Sequence, residues 1–163
     1  MSGGFASAFA EGEGLAAKCL AGLGDTAGAA LGIVYVSEPA AAGLPALLRE
    51  LADGTGIADW VGGVGLGICA AGHEVYDRPA ASVLTVAAPE DSFRIFGATE
   101  DPGNDLPRDH ARWIEKAHPA LALVHVDPRC PDLMRAAVDA GTASGAFLVG
   151  GLVSHQCEAP LVA

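Results

Sequence analysis

Cysteine and histidine recur at matching places in two stretches of this chain: Cys69 with His73, and His155 with Cys157. A thiolate next to an imidazole base is the minimum for a nucleophilic enzyme. The base must also lie within hydrogen-bond reach and an oxyanion hole must face the reacting carbonyl. Spacing establishes neither, and cysteine used as a small buried hydrophobe is common. The remaining candidates would hold a ligand rather than transform one. Gly63, Gly65 and Gly67 leave one side of a strand almost bare, and glycine belongs there only where something approaches the main chain closely. Close packing is the commoner cause and a ligand the other. Asp127 follows an apolar run and could take a ligand ammonium, although capping its own turn is the more frequent use of Asp. Ser154 and His155 follow a second Gly-Gly pair and could wall a pocket.

Other chemistries lack their signatures. There is no G-x-S-x-G elbow. Gly65-Leu66-Gly67 is not a dinucleotide fingerprint, since the third glycine would fall on Ala70, and no phosphate-binding Gly-Lys-Ser/Thr loop is present. The four cysteines show no C-x-x-C spacing, so neither a zinc site nor a disulfide scaffold is indicated. No cofactor, no metal and no catalytic residue is assigned. Reduced thiols in a cytoplasmic protein are expected.

The glycines lie in Trp60-Val61-Gly62-Gly63-Val64-Gly65-Leu66-Gly67-Ile68-Cys69. With a period of two, Trp60, Val64, Leu66 and Ile68 share one face, and Val61, Gly63, Gly65, Gly67 and Cys69 the other. A second such stretch runs from Phe147 to Cys157, with Gly150-Gly151 opposite Gly62-Gly63 and Cys157 opposite Cys69. Upstream, Leu31-Gly32-Ile33-Val34-Tyr35-Val36-Ser37 matches Leu121-Ala122-Leu123-Val124-His125-Val126-Asp127. Pro45-Ala46-Leu47-Leu48-Arg49 matches Pro131-Asp132-Leu133-Met134-Arg135. The order is strand, Pro-started helix, Gly-Gly strand in both. Two copies are too few for a solenoid, so an internal duplication with a pseudo-two-fold is expected.

The elements that must position these residues follow in order. Phe5–Ala10 alternates as a strand, and Leu15, Cys19 and Leu23 mark a helix face between Glu11 and Gly24. A buried strand at 31–37 and a loop at 39–43 precede a helix from Pro45 with a Leu44, Leu47, Leu48, Leu51 stripe. The glycine strand, a turn at 70–72, His73–Tyr76, a strand at 81–88 and another at 93–96 are expected as antiparallel neighbours. The acidic, turn-rich stretch 98–107 reads as a boundary, and 109–117 as a helix. A second buried strand at 121–126, a helix striped by Cys130, Leu133, Met134 and Ala137, and the second glycine strand complete the series.

The formal charge of -11 argues against nucleic-acid and anionic-membrane partners, which need basic surface. No apolar run approaches the ~20 residues of a membrane span. Hydrophobic residues make up 51% and aromatics only 6%, so a closely packed aliphatic core is expected.

The opening alternating segment, the 31–37 strand, Pro45 to Leu51, Asp59-Trp60-Val61-Gly62, Ala81 to Val86, Val124 to Pro128 and Val149-Gly150-Gly151-Leu152 together resemble the FIST N-terminal domain. The resemblance covers nearly the whole chain and implies a sensory module of signal transduction, with amino acids as suggested ligands. It also implies a companion C-terminal FIST domain or an output protein as partner. The chain has no room for either, so a short single-domain member or half of a larger binding unit is expected.

The expected fold is α/β with a mixed sheet: one domain over 1–163, with strand–helix–strand units at about 29–97 and 108–163. The expected function is sensing of a small, amino-acid-like ligand held by Gly63, Gly65, Gly67, Asp127, Ser154 and His155. A structural interaction module, using a sheet edge or acidic face, is the alternative. A Cys/His hydrolase is the weaker one.

Overall fold

The computed structural model describes residues 4–89, 91–154 and 161–162. Its strands are β1 (Phe5–Glu11), β2 (Ala29–Ser37), β3 (Asp59–Gly65), β4 (Gly67–Ala70), β5 (His73–Tyr76), β6 (Ala80–Ala87), β7 (Leu121–Val126), β8 (Phe147–Leu152) and β9 (Leu161–Val162). Its helices are α1 (Leu15–Leu23), α2 (Leu44–Thr55), α3 (Pro102–Ala117) and α4 (Leu133–Ser144). The architecture is mixed α/β. Five strands form one sheet in the order β1-β6-β2-β3-β9, β4 and β5 form a hairpin, and β7 and β8 form a parallel pair.

β2 and β3 run parallel because α2 carries the chain back between them, as a parallel pair requires. α2 follows its leucine stripe: Leu44, Leu47 and Leu51 are buried and Leu48 is partly so. Gly56 ends it in the left-handed conformation, its N–H donating to the Ala52 carbonyl. These leucines pack with Cys19 and Leu23 of α1 and with Val34, Val36, Trp60 and Val64 of the sheet. Tyr35 alternates with Val34 and Val36, so it points to the other face. There it packs against a smaller cluster of Ile68, Val75 and Ala80.

Ser37 ties the end of β2 to the start of β6. Its hydroxyl is fully buried, donates to the Arg78 carbonyl at 2.7 Å and accepts from the Ala80 N–H at 2.8 Å. Ser37→Ala strands both main-chain groups. A loss of about 1–3 kcal/mol in urea unfolding is expected, and an unchanged midpoint would show that water replaces the hydroxyl.

β7, α4 and β8 repeat the local plan of β2, α2 and β3. Val34 pairs with Gly62 and Tyr35 with Gly63; Val124 pairs with Gly150 and His125 with Gly151. Both helices end on a left-handed glycine, Gly56 and Gly145. Gly63 and Gly151 therefore occupy the same kind of place. The surroundings differ: β2–β3 lies inside the large sheet, whereas β7–β8 leaves Leu121, Leu123 and Phe147 exposed.

Several expectations are corrected. The first glycine stretch is not one strand. It breaks at Leu66, which is 44% exposed, and Ile68 beyond the break packs in the smaller cluster instead of the Trp60–Val64 core. Residues 93–96 form no strand. The stretch 98–107 is not a boundary loop throughout, since α3 begins at Pro102 and buries Leu106. The Asp101 carbonyl accepts from the N–H groups of Asn104 and Asp105, and burial of Leu106 overrides the turn-forming sequence. Residues 38–43 coil into a 3-10 turn. α4 starts at Leu133 rather than Pro131, leaves Cys130 outside, and exposes Met134 and Val138.

Candidate functional site

Tyr35 and His125 stand at matching positions of β2 and β7, each beside the second glycine of a Gly-Gly pair. They meet. The Tyr35 hydroxyl and His125 Nε2 are 2.7 Å apart and the rings sit edge to face at 5.4 Å. A second bridge joins matching positions too: the Leu66 N–H donates to Ser154 Oγ at 3.2 Å. Between these two bridges lies an open cleft of about 290 Å³. Its floor is main chain at Gly65, Gly67, Gly150 and Gly151, and its polar side chains are Tyr35, His125, Ser82, Ser154 and Cys69. That size sits at the small end of ligand pockets, roughly 300–1,000 Å³.

The cleft collects some of the predicted residues and not others. Gly65, Gly67 and Ser154 line it. Gly63 is buried beside Tyr35 and is not part of the described lining. Asp127 lies beyond the end of β7 and is not part of that lining either. Its carboxylate holds Arg129 at 2.7 Å and accepts from the Arg129 N–H, a turn-capping arrangement. His155 lies outside the described residues, as does Cys157. Sequence reasoning missed Tyr35, His125 and Ser82. The signal was present: a polar ring at the same place in two otherwise apolar strands.

The glycines divide by cause. A Cβ at Gly62 or Gly150 would overlap the carbonyl oxygen of Val34 or Val124, at backbone φ of +152° and +133°. A Cβ at Gly67 would run into the Tyr76 ring. Packing accounts for these three. At Gly151 an added Cβ would meet nothing within 4 Å.

Cys69 and His73 are not brought together. Cys69 pairs with Glu74 and Ala70 with His73, so the two side chains leave opposite faces of the hairpin. His73 stacks on Phe9 at 5.2 Å. Burial pushes the Cys19 thiol up to about 11, which makes it a packing residue. Among the described residues, no group of three or more His, Cys, Asp or Glu could hold a metal ion, and no helix is long and apolar enough to cross a membrane.

Burial raises the Tyr35 hydroxyl above its ordinary pKa and lowers His125 below the ordinary histidine value of about 6.5. The unfolded chain therefore binds the His125 proton first as pH falls. His125 leaves stability unaffected above about 6.5 and lowers it from there down to its folded value. A proton NMR titration should show the His125 ring protonating at lower pH than a free histidine. An ordinary midpoint would mean that the ring is well solvated.

A family model for the FIST N domain matches residues 30–159. No curated protein and no solved structure gives a significant match. The family match spans most of the chain, and the chain belongs to the FIST N-terminal domain family, a membership consistent with a sensory domain of signal transduction.

Proposed function

We propose that this domain senses a small metabolite of amino-acid size in the cleft between Tyr35, His125 and Ser154. The observation that carries the reading is the meeting of two glycine-rich strands around a space with uncovered peptide groups and several side-chain hydroxyls. Main-chain N–H groups there suit a ligand carboxylate, and carbonyls suit its ammonium. The two strand–helix–strand segments, with their shared Gly-Gly register, are read as a duplicated pair within one domain over 1–163. Asp127 and His155 are kept in this reading as candidate ligand contacts, the first outside the described lining and the second outside the described residues. Calorimetry against the twenty common amino acids, with mass spectrometry of co-purifying small molecules, tests it. Binding that weakens on Tyr35→Phe supports the reading. No heat at millimolar concentration and nothing co-purifying overturns it.

A second reading concerns the output, and one observation favours it. A two-stranded parallel sheet with an apolar face is rarely left uncovered. Leu121 and Phe147 are 58% and 72% exposed on adjacent, paired strands. Such a face suits a protein partner, either a companion C-terminal FIST domain or a signalling output protein. Hydrogen exchange at 121–126 that slows on adding a C-terminal FIST domain supports docking there. Unchanged exchange in a confirmed complex places the contact elsewhere.

A further inference from the structure

The Tyr35–His125 contact fixes more than the position of the cleft. A neutral imidazole carries one proton, and the hydrogen bond to Nε2 links its place to the Tyr35 hydroxyl. If the hydroxyl donates to Nε2, the imidazole proton is on Nδ1, leaving a donor at Nδ1 and an acceptor at the phenol oxygen. If Nε2–H donates instead, the phenol keeps a free donor and Nδ1 becomes the acceptor. In both arrangements the pair offers one donor and one acceptor, and the two interchange without adding or removing charge. A carboxylate needs donors only, which this pair supplies once His125 is protonated. Burial opposes that protonation. The other polar side chains of the described lining, Ser82, Ser154 and Cys69, are also uncharged donor–acceptor groups.

We infer that the Tyr35–His125 pair selects a ligand group that is uncharged and carries both donor and acceptor, with a primary carboxamide as the best match. The inference rests on the reading of the cleft as the ligand site. Gly151 beside His125 leaves the approach clear, since no side chain stands between the ring and the cleft there. For an amino-acid ligand the requirement falls on its side chain, favouring glutamine over glutamate and asparagine over aspartate. A site built to hydrogen-bond a neutral group rejects a charged isostere, because the charge loses its water without gaining a counter-ion, and the described lining holds no cationic Lys or Arg.

Matched calorimetry at pH 7.5 tests this with glutamine and glutamate, and with asparagine and aspartate, pairs that differ only in the side-chain group. The amide of at least one pair should bind at least tenfold more tightly than its acid. Tyr35→Phe should remove most of that preference, and His125 ring signals should shift with the amide alone. Equal or tighter binding of the acids overturns the inference and leaves the cleft as the ligand site. So does binding of other amino acids with no member of these pairs bound. If no amino acid and no amide binds at all, the cleft reading falls together with this one.

Discussion

Gly62→Ala unfolds in urea far below the wild-type midpoint, with a loss of about 4 kcal/mol or more. Two costs combine at this residue. Its φ of +152° lies where side chains other than glycine are strained, worth about 1–3 kcal/mol. The new Cβ would also overlap the Val34 carbonyl oxygen, so β2 and β3 must part at the centre of the large sheet. Val34 and Val64 are almost wholly buried on either side of that point, and a shift there opens the main core. Gly150→Ala meets the same obstacle at Val124. Neighbouring glycines serve as controls. Gly43 is exposed, has a φ of -88° and has open space for a Cβ, so Gly43→Ala should stay within about 1 kcal/mol of wild type. Gly151→Ala should do the same despite lying next to Gly150. If Gly62→Ala costs less than about 1 kcal/mol, the strand contact yields easily and the glycine is not required by packing.

That contrast also explains what could be read from the sequence. Periodicity located β2 and α2 because their burial is regular: alternating valines in the strand, and Leu44, Leu47 and Leu51 in the helix. β7 is a strand as its apolar run predicted, but it is not the buried one expected, since Leu121 and Leu123 are exposed. The Gly-Gly coincidence pointed to two like segments, and Val34–Gly62 and Val124–Gly150 do pair alike. Of the predicted bare-face glycines Gly67 is held by packing, but the tightest approaches fall on Gly62 and Gly150, outside that face. Gly63 and Gly65 drew attention as a bare face, while Gly62 carries the close approach, which depends on a neighbouring strand's carbonyl and leaves no local pattern. The break at Leu66 and the early start of α3 were hidden for a similar reason. Leu66 reads as core until Ser154, 88 positions away, takes its N–H, and Pro102-Gly103-Asn104-Asp105 reads as a turn until Leu106 is buried. The cleft itself depends on how two segments sit against each other. The sequence paired Tyr35 with His125 by position, and only the tertiary contact turned that correspondence into a hydrogen bond.

Gly151→Val is the cleanest way to close the cleft. At Gly67 a side chain would strike the Tyr76 ring, and at Gly62 or Gly150 the sheet would suffer, so loss of binding there could mean loss of fold. At Gly151 the backbone is not left-handed and nothing lies within 4 Å of an added Cβ. Valine suits a strand and restricts the unfolded chain, so stability should hold or rise by a few tenths of a kcal/mol. Its three added carbons stand in the cleft beside His125, where the Tyr35–His125 pair faces the incoming ligand. An amino acid or carboxamide that binds the wild type should bind this variant at least tenfold more weakly, with the urea midpoint unchanged. Gly151→Ala should fall between the two, since one methyl group removes less of the roughly 290 Å³. Graded loss of affinity at constant stability would tie the ligand to this end of the cleft. Full affinity in the valine variant would instead place the ligand away from His125, and the donor–acceptor argument would lose its footing even if the domain binds something.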